Sequence, residues 1–312
     1  MKLRLGTRGS ALATSQSKRI LRRLEALGHE IEMVIIKTEG DKDQVRPFVE
    51  LGPAGLFVRS LEQALVENRI DFAVHSYKDL PSLSPESLIV ACMPERMSQC
   101  DRLLISKDAH DPDAPGALPL RQGSVVGTAS ARRMALLHDL RPDLKSALLR
   151  GNVPTRVQKL RDGNFDAILL ATAGLERLDE AVEIGDAEAL DRSGLIEIDL
   201  DMEAFIPAPS QGALALQTRK DDTAVREALM ALDDAKEHRA VALERRLLAL
   251  VDAGCQVPFG AWCKADPESD ELSMVAFLER NGVRNRAEVY GFDIEDLAQQ
   301  ALGMLLAGES SK

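Results

Sequence analysis

Eight Lys and Arg residues stand between Gly127 and Arg161 against two acids, Asp139 and Asp143, in a chain whose formal net charge is −11. Arginine concentrated on an otherwise anionic protein points to a site for an anion rather than to general affinity for polyanions. Arg132, Arg133, Arg150 and Arg156 lie beside small or loop-forming residues (Gly127, Ser130, Gly151, Asn152) at the ends of short apolar segments. Strands stop and helices begin at such places, and a helix N-terminus offers an anion its free N–H groups and its dipole. The planar guanidinium fork matches carboxylate or phosphate. Neighbouring residues on a helix point about 100° apart, so Arg132 and Arg133 meet one ligand only in the first turn, where Ser130 as N-cap puts them. Arg141 and Arg161 read as ordinary solvated arginines.

Those residues need strands and helices behind them. Residues 3–5 read as a short strand, Gly6-Thr7-Arg8-Gly9 as its turn, and 10–27 as a helix capped by Ser10 and stopped at Gly28. Residues 31–37 form a β-branched run typical of a buried strand. Gly52-Pro53-Ala54-Gly55 opens a second helix with Leu56, Phe57, Leu61 and Leu65 on one face, and strands follow at 71–76 and 88–92. The alternation restarts with a strand at 124–128, a helix from Ser130, a strand at 145–149, a helix to Leu160 and a buried strand at 165–171. This is the grammar of an open sheet with crossover helices. Gly6-Thr7-Arg8-Gly9-Ser10-Ala11 returns, one residue shorter, as Gly127-Thr128-Ala129-Ser130-Ala131.

The expected fold is α/β: two similar lobes around a cleft, residues 1–98 with 210–230 and residues 99–209, plus a smaller C-terminal α+β domain, 231–312. The segment 207–212 reads as a hinge leading to an apolar strand at 213–217. A helical pattern covers 224–250, followed by a small sheet (262–263, 272–278, 286–290) and a helix at 294–306. No apolar stretch has the 18 or more residues of a membrane span, and none follows the start in the manner of a secretory signal. The four cysteines (Cys92, Cys100, Cys255, Cys263) include no C-x-x-C pair, so reduced thiols, a cytoplasmic location and no metal are expected.

His75-Ser76-Tyr77-Lys78-Asp79-Leu80-Pro81 resembles the signature of the porphobilinogen deaminase (hydroxymethylbilane synthase) family. Further pieces match in order: Gly6-Thr7-Arg8-x-Ser10, Gly55-Leu56-Phe57, Gly127-Thr128-x-Ser130-x-Arg132-Arg133, Leu149-Arg150-Gly151-Asn152-Val153-x-Thr155-Arg156 and Gln211-Gly212. Gly254-Cys255-Gln256-Val257-Pro258-x-Gly260 resembles the loop on which that family carries its cofactor. Each piece is weak alone; as an ordered set they are specific.

The resemblance implies a transferase that condenses four porphobilinogen molecules head to tail, losing ammonia each time, on a dipyrromethane primer held as a thioether by Cys255. It implies Asp79 as the catalytic carboxylate, giving a proton to the departing amine and facing the positive charge that develops on the ring. Ser76, Lys78, Asp79, Thr128, Ser130, Arg132, Arg133 and Gly151 would contact the cofactor. Arg8, Ser10, Gln16, Phe57, Arg150, Arg156 and Arg177 would contact substrate, whose acetate and propionate groups suit guanidinium. Cys92, Cys100 and Cys263 are read as structural, and His75 as a packed histidine rather than a base. The expected partner is porphobilinogen, with no nucleic acid or membrane, and the expected state is a monomer.

The chain also departs from the family's pattern. Gly52-Pro53-Ala54 stands where Gly-Gly-Lys is usual, Glu50 replaces a residue basic in some members, Ala129 and Ala131 stand where Ser and Leu are common, and Pro154 interrupts the Asn-Val-x-Thr-Arg loop. Arg59 is the expected replacement for the missing lysine. Two other readings stay open on the residues: a two-lobed solute receptor of the periplasmic-binding-protein kind, which leaves the Cys255 loop without a purpose, and a nucleic-acid binder, against which net charge and scarce aromatics count.

Overall fold

The computed structural model describes residues 1–36, 53–251 and 257–307. Three sheets organise them, and the chain divides into two compact units. One comprises Met1–Met97, Arg177–Glu188 and Gly212–Arg239; the other comprises Ser98–Glu176, Ala189–Gln211 and the chain from Ala240 onward.

In the first unit Lys2–Thr7 pairs in parallel with Glu30–Ile35 on one side and Phe72–Ser76 on the other. Leu214–Arg219 then runs antiparallel between Phe72–Ser76 and Leu88–Cys92. The second unit repeats this order with Val125–Thr128 in the place of Lys2–Thr7, flanked in parallel by Lys145–Leu148 and Ala167–Ala171. Asp101–Ser106 is its antiparallel strand, between Ala167–Ala171 and Leu195–Asp199. The two lobes are therefore α/β with mixed sheets, and Asp101–Ser106 and Leu195–Asp199 are strands that periodicity alone does not single out.

The repeated Gly-Thr has a packing cause in each lobe. A Cβ on Gly6 would stand 2.2 Å from Ile70 Cδ1, and one on Gly127 would stand 2.9 Å from the Phe165 ring. At both places a side chain from the segment two residues ahead of the neighbouring strand lies over the glycine backbone, so a Cβ there would force that side chain to shift. Thr7 and Thr128 follow, both fully buried. Ser10 and Ser130 then cap the helices Ala11–Ala26 and Ala131–Leu140, accepting from the N–H of Ala13 and Arg133 at 3.4 Å each.

Some expectations are corrected. The β-branched run after residue 30 is the edge strand Glu30–Ile35, half-exposed rather than buried, with Ile35 46% accessible. The continuous helix expected over 224–250 is two, Thr223–Met230 and Ala235–Val251. Asp233 and Asp234 stand at the break: Asp234 turns its carboxylate to a local N–H group, and Asp233 turns its own to a distant N–H and to the nearby His238 ring. Asp233 accepts from Met93 N (2.7 Å) and pairs with His238, while Asp234 accepts from Glu237 N (3.2 Å).

The third sheet, Phe259–Ala265, Leu272–Arg280 and Val283–Gly291, is antiparallel. The helices Ala235–Val251 and Ile294–Leu305 contribute Leu243, Leu247, Leu297 and Ala301 to one core with Ala261, Met274 and Val289. Phe277 packs with Phe205 and Ile206 in another core of the same unit. Burying a leucine or phenylalanine of this kind contributes roughly 1.5–3 kcal/mol. Among the described residues no helix is long and apolar enough to cross a membrane.

Candidate functional site

The basic cluster of the second unit is built around one acid. Asp101 opens its strand with no solvent exposure. Its Oδ2 accepts from Arg132 Nη1 (2.7 Å), and its Oδ1 accepts from Arg133 Nη2 (2.6 Å) and Nε (3.0 Å) and from Gln211 Nε2 (3.0 Å). Burial alone would push this carboxyl's pKa up, but the two guanidiniums outweigh it and hold the group well below the usual carboxylate range. Arg132 Nη1 also donates to Ile206 O (2.7 Å), and Arg133 Nη1 to Leu169 O (2.9 Å).

The pair nevertheless retains unspent positive charge. Arg132 is 5% exposed, its Nε is buried without a hydrogen-bond partner, and desolvation pulls its pKa down. Arg156, half-buried, donates through Nε to Gly151 O (2.7 Å). Burial first, and the Arg133 charge second, lower its pKa, with no carboxylate among the causes to offset them. Among the described residues, three guanidiniums against one carboxylate leave two positive charges, with Arg132 and Arg133 buried and Arg156 half-buried. Charge of that kind calls for an anionic partner.

Ser130 is the N-cap beneath Arg133, and Thr128 Oγ1 accepts from Ser130 N (3.2 Å). Gly151 has a left-handed φ of 122°, and Arg150 beside it is exposed. Asn152 caps the helix Val153–Arg161, accepting from Thr155 N at 2.9 Å. Pro154 therefore does not break a loop: it sits in the helix's first turn, where its missing N–H has no intrahelical acceptor to lose.

In the first unit, Phe72–Ser76 runs into a single 3-10 turn, Tyr77–Asp79, closed by Leu80 N to Tyr77 O at 3.1 Å. Leu80 is buried with Val58 and Ala215 and anchors the turn. Lys78 and Asp79 are thereby turned outward and exposed, with Ser76 half-buried just before them. Among the described residues the Asp79 carboxylate has no hydrogen-bond or ion-pair partner. Arg8 is half-buried in the turn after Lys2–Thr7, where its carbonyl accepts from Thr14 Oγ1 (3.3 Å). Gln16 is buried on the helix behind it. Arg177 is buried and donates through Nη2 to Gly212 O at 2.5 Å.

Phe57 lies on the helix Pro53–Val66, with its side chain outside the described residues, and Arg59 is exposed on the same helix. Cys255, Gly52 and Glu50 also lie outside the described residues. Cys92, Cys100 and Cys263 are buried and in no disulfide, and burial pushes the first two thiols' pKa up. His75 is buried, as a packed histidine should be, and desolvation lowers its pKa to about 4. Arg161 pairs at the surface with Asp191 at 2.8 Å.

Arg141 is a correction. It is 5% exposed, donating to the carbonyls of Leu118 (2.7 Å) and Leu120 (3.1 Å) and forking onto Asp143. It ties a loop to a helix end and is no solvated arginine. Asp101, missed from sequence, had one signal: an acid opening the apolar run Leu103-Leu104-Ile105. Among the described residues no group of three or more His, Cys, Asp or Glu could hold a metal ion.

A family model described as porphobilinogen deaminase, dipyromethane cofactor binding domain, matches residues 3–227. The porphobilinogen deaminase of Maridesulfovibrio salexigens is 41% identical over 279 residues, 89% of this chain and 84% of the relative. That of Lachnospira eligens is 40% identical over 310 residues, 98% of this chain and 99% of the relative. Among solved structures, an ancestral cationic amino acid solute binding protein aligns at a TM-score of 0.42 and 14% identity, covering 78% of this chain and 93% of that one.

Proposed function

We propose a reaction from one premise: the chain belongs to the porphobilinogen deaminase family. It is a transferase that joins porphobilinogen units head to tail with loss of ammonia, building the linear tetrapyrrole hydroxymethylbilane on a dipyrromethane cofactor. The observation that carries the reading is the unbalanced charge around Arg132, Arg133 and Arg156, with the buried, unpartnered Nε of Arg132. Every pyrrole in this chemistry bears an acetate and a propionate, so an acid-poor arginine cluster fits the group. The cofactor, when bound, supplies the pyrrole carbon to which the first unit is joined.

Roles follow for this chain's own residues. Arg132 and Arg133, with Thr128, Ser130, Gly151, Ser76 and Lys78, hold cofactor carboxylates; Cys255 supplies the thioether. Arg8, Ser10, Gln16, Phe57, Arg150, Arg156 and Arg177 orient substrate. Asp79 protonates the leaving amine and then, as carboxylate, stabilises the positive ring left behind. Its exposure and lack of a described partner leave both oxygens available. Arg59 stands in for the family's missing lysine. We place the enzyme in the cytoplasm as a monomer whose partner is porphobilinogen alone, with no nucleic acid or membrane; size-exclusion chromatography checks the oligomeric part.

The decisive experiment is intact mass together with turnover. Purified protein should carry an added mass equal to two linked pyrroles, lost in Cys255→Ser, and should consume porphobilinogen. A wild-type protein with the bare sequence mass and no turnover refutes the reading.

A further inference from the structure

Asp101 sits in the middle of the arginine cluster but is too buried to touch a ligand, and its placement is unusually over-determined. Its two oxygens are divided between neighbouring guanidiniums: Oδ2 takes Arg132, and Oδ1 takes the Nε–Nη2 edge of Arg133. Two residues that diverge by about 100° around a helix are thus drawn onto one carboxylate. The third donor, Gln211 Nε2, also binds the carbonyls of Gln99 (2.8 Å) and Cys100 (3.2 Å), fixing the backbone that leads into Asp101.

Gln211 is itself held. Ser210 before it has a left-handed φ of 63°, a conformation a serine adopts only under constraint. The constraint is Glu244, fully buried on the helix Ala235–Val251. Its Oε2 accepts from Ser210 N (2.7 Å) and its Oε1 from Cys263 N (2.8 Å) in the third sheet. A continuous chain of buried polar contacts therefore runs from the third sheet through Glu244, the strained turn and Gln211 to Asp101 and the two arginines, all within one unit.

We propose that Asp101 is a positioning residue for the anion site: it fixes the planes of Arg132 and Arg133 while cancelling only one of their charges. The inference rests on the reading above, in which that pair holds cofactor carboxylates, and adds the residue that aims them. A buried acid present only to balance charge is replaceable by any acid of suitable reach. One that aims two forks is not, because a shift near 1 Å at such a site costs on the order of 100-fold in rate.

Asp101→Glu separates the two, since it keeps the charge and lengthens the reach by one methylene. The expected result is a variant that melts close to wild type, yet shows a kcat at least tenfold lower and a reduced fraction of molecules carrying the two-pyrrole mass. Asp101→Asn should lose both stability and loading. A second readout needs no cofactor: in the Cys255→Ser background, sulfate should raise the melting temperature, and Asp101→Glu should remove most of that increase. An Asp101→Glu protein with wild-type kcat, loading and sulfate response overturns the proposal even if porphobilinogen is consumed normally. If sulfate protection depends on Asp101 but porphobilinogen is never consumed, the positioning role stands and the substrate reading fails. Should Asp101→Glu fail to fold, Gln211→Glu and Gln211→Ala take its place. Loss of loading in both supports the proposal, and full loading in both overturns it.

Discussion

Asp79 and Asp101 bring the same side chain into opposite surroundings. Asp79 ends a one-turn 3-10 segment, exposed and without a partner among the described residues. Asp101 has no exposure and is saturated by donors from three side chains. The backbone produces the difference. Leu80 pins the turn from below and tips Asp79 outward, whereas Asp101 begins a strand paired on both sides. A carboxylate that must exchange a proton with a ligand has to be reachable, while one that organises other groups has to be unable to leave. Availability, more than charge, separates the acid proposed to react from the acid proposed to position.

That contrast breaks most visibly at Asp79. Asp79→Ala should lower kcat/KM by on the order of 10²–10⁴-fold, the scale of a lost proton-transfer group, with melting unchanged because no described contact is removed. Steady-state kinetics and a thermal melt on one preparation decide it; turnover within twofold of wild type sinks the assignment. The mirror experiment, Asp101→Ala, should cost about 3–5 kcal/mol in urea unfolding, since it strands two buried guanidiniums.

A second pair of residues sharpens the point within one unit. Arg141 and Arg156 both belong to the basic stretch, yet Arg141 spends its donors on three carbonyls and Asp143, while Arg156 spends Nε on Gly151 O and, among the described residues, has no acid to offset its charge. Arg141→Leu should destabilise by about 2–4 kcal/mol, the penalty for leaving buried acceptors unsatisfied, and leave KM unchanged. Arg156→Leu should do the reverse, raising KM roughly tenfold or more, as expected for a lost charge-assisted contact of 1.5–3 kcal/mol, with stability equal or higher. Urea midpoints and KM values for the two variants should therefore move in crossed directions. If both lose stability and neither changes KM, Arg156 belongs to the scaffold.

Which parts were legible from sequence follows from the range of the interactions. Ser10, Ser130 and Asn152 bond within three residues, so local spacing announces them as caps. The Gly-Thr repeat was visible too, although its cause, a side chain laid over the glycine from just ahead of the neighbouring strand, was not. Asp101 meets partners 31, 32 and 110 positions away, and Arg141 meets carbonyls 21 and 23 positions away. No short-range pattern carries such pairings. The edge position of Glu30–Ile35 was hidden for a related reason: a β-branched run marks a strand, but the strand's place in the sheet depends on what pairs beside it.

The smallest expected effect tests whether the first lobe keeps its own buried ionisable group neutral while its exposed acid reacts. His75 lies buried on the strand that ends at Ser76, and desolvation lowers its pKa to about 4. An unfolded histidine titrates near 6.5. Between those values the unfolded chain binds a proton that the native chain does not, so stability rises with pH through that window and is lost as pH falls from 6.5 toward 4. The slope from this one group is at most about 1.4 kcal/mol per pH unit. Carboxylates protonating near pH 4–5 add their own slope, so the informative quantity is a difference between proteins. Urea midpoints at pH 6.5 and 4.5 should fall further apart for wild type than for His75→Asn, which has no proton to take. Equal pH dependence in the two would mean that His75 is protonated in the native state, and the lobe would then have to hold a buried cation on the strand Phe72–Ser76.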